Sequence, residues 1–311
     1  MTAILTVLKP VPITTAMLTS TSATEEVAPY AFLNTYAVGG RCRSDVTHRI
    51  YESKKAGNVG NDPTLEANRA GSTPWWQDVG PTNDWAMFDN DVSTQTVAQS
   101  PLTVVVAPGF FSSAQFFGLD ADFITVTVRD KPGGAIVKTV THELESSEPA
   151  DYDEYFWDDF EPEASFAVGE IEQYYKAEAT VTLTRTGGGL VRCGAMVVGD
   201  EVALGKALAQ PKVKPRTFSF VSTDKFGVTS ITRRKAVTDM DVTALMDVSE
   251  ANSVLAAVQS LLDVPCAWKG SDSVYYAGLR CFGLGSAEIT YDVAPGKCQI
   301  SLNVQGVIEW Q

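Results

Sequence analysis

Histidine is nearly absent: His48 and His142 are the only two in 311 residues. Neither lies in a context resembling a nucleophile elbow, so nothing supports a Ser-His-Asp or Cys-His site. The five cysteines, Cys42, Cys193, Cys266, Cys281 and Cys298, are scattered. No Cys-x-x-Cys pair or Cys-His group has ligand spacing, which argues against zinc. An odd cysteine count in a chain this long does not read as a disulfide framework, and buried free thiols are expected. Basic residues are scarce, 24 against 38 acids, for a net charge of −14. Nucleic-acid binding needs clustered Lys and Arg, so no nucleic-acid partner is expected. The densest basic run, Arg233 to Lys235, is soon followed by Asp239 and Asp241. Gly187 to Gly189 lacks the Lys-Ser/Thr of a phosphate loop. No cofactor is implied.

Long apolar runs are missing as well. Met1 to Leu18 is apolar but broken by Lys9, Pro10 and Pro12. It is too short for a membrane span and lacks the positive start and continuous core of a secretory signal. No membrane insertion is expected. Residues 1–29 read instead as an extended N-terminal arm, ordered by docking on a neighbouring chain or another domain.

What is present is strand pattern. Residues 30–95 show two short strands, Gly-rich turns and a Pro74-Trp75-Trp76 close. With few aliphatics, the aromatics must supply much of the buried area. Tyr36, Gly39, Gly40, Tyr51, Glu52, Asn61, Pro63, Trp75 and Trp76 resemble the pattern of small chitin-binding type modules on secreted glycosidases. That resemblance implies a carbohydrate-binding-like β module in which Tyr51, Trp75, Trp76 and Trp85 stack on sugar rings. The bland alternative is that these aromatics form the module's core. The longer string Trp75 to Asn90 resembles a run found in phage tail structural proteins.

Residues 96–210 are β-rich. Leu102–Val106, Phe123–Val128 and Ala135–Val140 read as strands, and Ala177–Leu183 with Leu190–Val198 as a hairpin. Short strands at close spacing indicate a β-sandwich. The acidic-aromatic run Asp151 to Glu163 has three readings: a solvated loop anchored by its aromatics, a calcium site, or an acid pair for glycoside hydrolysis. It fails the EF-hand pattern, with Tyr155 at the fifth position and no glycine at the sixth. Pro211 to Pro215 reads as an extended linker.

Residues 211–311 read as an α+β unit. The run Phe218–Ile231 is strand-like. One helix is expected over Asp247–Leu262, with Val254, Leu255, Val258, Leu261 and Leu262 on one face. Asp247 and Glu250 suit an N-cap and its partner, and Pro265 forbids continuation. Ala287–Tyr291 and Gln299–Val304 alternate as half-buried strands. A helix, then Pro265-Cys-Ala-Trp268, then strands ending at Val307-Ile-Glu-Trp310, resembles the tail-tube-related domain of bacteriophage distal tail proteins.

The expected fold class is therefore mainly β: a small module, a β-sandwich and a C-terminal α+β tail-tube-like domain with one main helix. The resemblance implies a non-enzymatic structural subunit of a phage tail tip or baseplate, assembling as a ring. Its expected partners are copies of itself and the tail-tube, hub and tape-measure proteins; its expected location is the virion. The alternative is a carbohydrate-binding protein recognising host-surface glycan.

Overall fold

The computed structural model describes residues 4–89, 94–144, 163–208, 210–223, 225–227, 229–232, 236–271 and 274–307. Strands β1 (Ile4–Pro10) and β2 (Leu18–Thr21) open the chain. A small module follows: β3 (Arg41–Ser44), β4 (Arg49–Ser53), the single-turn helix α1 (Glu66–Arg69) and β5 (Trp76–Pro81). The middle region carries β6 (Thr96–Gln99), β7 (Leu102–Val106), β8 (Ser113–Phe117), β9 (Phe123–Arg129) and β10 (Ile136–Glu143). It continues through β11 (Ser165–Val168), β12 (Glu178–Thr184), β13 (Leu190–Cys193) and β14 (Ala195–Ala207). The last region holds β15 (Lys212–Thr217), β16 (Phe220–Thr223), β17 (Thr229–Thr232) and β18 (Ala236–Asp247). Helix α2 (Val248–Ser260), β19 (Cys266–Lys269), β20 (Arg280–Ala294) and β21 (Lys297–Gly306) complete it. The fold is mainly β, and no described helix is long and apolar enough to cross a membrane.

A nine-stranded sheet runs β11-β8-β14-β1-β19-β20-β21-β18-β15. A five-stranded sheet, β10-β9-β12-β7-β2, packs on one end of it. Alternation makes this sandwich: Leu102, Val104 and Val106 of β7 and Ile124, Val126 and Val128 of β9 all point into one core. They meet Phe116, Phe166, Val168, Met196 and Val198 from the large sheet.

At the other end, α2 lies on the large sheet. Ala251, Val254, Val258 and Leu261 pack on Met240, Val242, Ile300, Leu302 and Trp268. The expected face is largely the buried one, through Val254, Val258 and Leu261; Leu255 and Leu262 lie at its exposed margin, and Ala251 takes a core place. Asp247 is the N-cap residue but makes no side-chain cap bond. Its carboxylate accepts from Lys297 Nζ at 2.5 Å instead. Gly285 leaves room for Trp268, because a Cβ at 285 would lie 2.1 Å from the indole Cζ2.

The N-terminal arm is an interior strand of its own chain. β1 pairs with β14 on one side and β19 on the other, and Leu5, Val7 and Leu8 are fully buried. A continuous apolar run is what a strand covered on both faces requires. Gly199 admits it, since a Cβ there would meet the Lys9 carbonyl.

Three further segments differ from expectation. Leu190–Val198 does not close a hairpin with β12. The chain crosses at Gly194, so that β13 pairs with β6 and β14 joins the large sheet. Residues 211–215 are not a free linker, because β15 pairs with β18 from Lys212 to Thr217. The run 218–231 folds back on itself as the hairpin β16–β17, turning near Gly227.

Candidate binding surfaces

The small module is the antiparallel sheet β3-β4-β5, its third strand unread in the sequence. Its core is Cys42, Tyr51 and Trp76, with Tyr30, Tyr36 and Trp75 packed around them. Trp76 is 0% exposed, and its indole N–H donates to the Asn61 carbonyl at 2.7 Å. The Tyr36 ring meets it edge-on at 5.0 Å. Tyr51 is also fully buried, its hydroxyl 3.0 Å from that of Thr47. Neither side chain has a face open to a sugar ring. Both do what a module poor in aliphatics needs, filling volume while a polar tip finds its partner.

Trp75 and Trp85 are half-buried. The Lys55 ammonium lies 4.5 Å over the Trp75 ring. Trp85 is stacked on His48 at 3.9 Å and touches Phe88 edge-on at 5.7 Å. His48 stands in a turn with φ +53°, and its Nε2 is 2.8 Å from the Thr15 hydroxyl. Burial holds its pKa below the ordinary imidazole value, against the opposing pull of Asp84 and Asp45. The four predicted sugar-stacking residues therefore do not form one platform. Sequence reasoning missed the exposed Phe32 and Leu33, where Phe32 lies against Gly60. They precede the Tyr36–Gly40 turn that carried the pattern, so no motif pointed to them.

Charged side chains gather in a cleft of about 480 Å³, lined in part by Lys138, Phe166, Glu201, Lys269 and Arg280. These groups are turned on one another. Glu201 accepts from Lys269 at 2.5 Å and from the Thr6 hydroxyl at 2.7 Å, tying together the neighbouring strands β14, β1 and β19. Glu163 contacts His142 at 2.8 Å and Arg280 at 3.5 Å. Lys138 donates to the Gly169 and Glu170 carbonyls. The cluster fastens the sandwich to the C-terminal strands. Glu163 is the one member of the acidic-aromatic run within the described residues; 151–162 lie outside them. Among the described residues, no group of three His, Cys, Asp or Glu is placed to hold a metal ion.

All five cysteines are buried and free. Burial pushes the Cys193 and Cys266 thiols up to about 12; Cys42 reaches the same value through burial and nearby Asp62. Thiols held so high are poor nucleophiles.

The edges of the large sheet are guarded. β11 is four residues long, and β15 carries Lys212, Lys214, Pro215 and Arg216. Short length, proline and cations all discourage strand addition. Lys214 pairs with Asp241 and Arg216 with Asp239. Each cation holds its carboxyl partner below the usual range.

Beyond β15 stands the hairpin β16–β17, a sheet of its own. Phe220, Val221 and Ile231 are each 58–64% exposed. A lone two-stranded hairpin is marginal in water, and this one offers large apolar side chains to solvent.

No family model matches the chain, and no curated protein or solved structure is significantly similar to it.

Proposed function

We propose that this chain is a structural subunit of a bacteriophage tail tip or baseplate, built to assemble with copies of itself and with tube, hub and tape-measure proteins. The observation that carries the reading is the exposed apolar hairpin at the end of a guarded sheet. With both sheet edges blunted, this is the described strand pair least satisfied by its own chain. A surface of that kind fits assembly through side-chain packing rather than strand addition. The order of β18, α2, Pro265 to Trp268 and β20 supports the tail-tube comparison at the level of pattern. Trp268 is fully buried in the same core cluster as the inner side chains of α2, which gives the Pro-x-x-Trp turn a packing role.

Electron microscopy of the full chain across a concentration series tests this. Closed rings are expected, and a monomer at every concentration contradicts it. The genomic setting is an independent check: tape-measure and tail-hub genes should flank the coding sequence, whereas secretion or metabolic genes would defeat the reading.

Glycan recognition is the second reading, and it rests on Trp75, which alone among Tyr51, Trp75 and Trp76 is not fully buried. A single stacked ring contributes on the order of 1 kcal/mol, so useful binding would depend on many copies acting together.

A further inference from the structure

We draw no further inference here: the strongest candidate, the exposed apolar surface of the hairpin β16–β17 beyond the edge strand β15, carries nothing past the assembly reading because nothing in the structure shows what covers it.

Discussion

The small N-terminal module and the C-terminal unit solve the same problem with opposite means. The module buries three hydrophobic side chains completely, Cys42, Tyr51 and Trp76, and rims them with Tyr30, Tyr36 and Trp75. The C-terminal unit buries a long series of aliphatics, shared among β18, β20, β21, β1 and α2. In the first, stability is concentrated in a few large rings; in the second, one large ring, Trp268, is joined by many small contributions. The spread core leaves the surface of its unit free to vary, and that surface carries the exposed hairpin.

The largest effect expected from breaking this contrast is at Trp76. Trp76→Ala should cost about 3–5 kcal/mol and unfold the module. Hydrogen exchange on the full chain should then rise across residues 30–89 and stay unchanged across 236–307. The matched change in the other unit, Val258→Ala, removes two buried methyl groups and should cost roughly 1.5 kcal/mol. If Val258→Ala proved as damaging as Trp76→Ala by thermal melting, the contrast would fail.

Two predictions sharpen the C-terminal side. Lys269→Met leaves Glu201 charged and half-enclosed without its cation, a loss of about 3 kcal/mol measurable by urea unfolding. Gly285→Ala drives a methyl group into the Trp268 ring and should cost about 1–3 kcal/mol, with a change in tryptophan fluorescence. A fully stable Gly285→Ala protein would contradict the packing described.

The smallest effects come with pH, and they differ between the two regions. The folded module holds His48 below its ordinary value of 6.5, so it binds fewer protons than the unfolded chain as pH falls through that range. Module stability should decline there, followed by the emission of Trp85, and His48→Gln should flatten that step. Asp239 and Asp241 lie below their ordinary 3.8, chiefly through Arg216 and Lys214. Their contribution is complete above that value and is lost as pH falls through the depressed pKa values. β15 should therefore loosen at stronger acid than the module does.

Much of the β character was legible, because alternation survives wherever one face of a strand is wet. Leu102–Val106 and Phe123–Val128 lie within the observed strands for that reason. The helix and most of its buried face were legible from Val254, Val258 and Leu261; only the margin differed, since Ala251 is too small to register as apolar while Leu255 is not. β1 was obscured because both its faces are covered, which removes alternation, and because Pro10 and Pro12 dominated the reading. The sharing of one nine-stranded sheet between sandwich and C-terminal strands is a long-range pairing, and no local pattern encodes it. For the candidate sugar-stacking residues, residue type named Tyr51, Trp75, Trp76 and Trp85 together. Burial then separated them, because the same rings that suit a sugar also suit a core.

Hydrogen–deuterium exchange of the full chain at low and high protein concentration tests the central claim most directly. Assembly through the exposed hairpin of the C-terminal unit predicts that concentration adds protection at residues 218–232 and leaves 30–89 unchanged. Protection confined to 30–89, or none at any concentration, would contradict it.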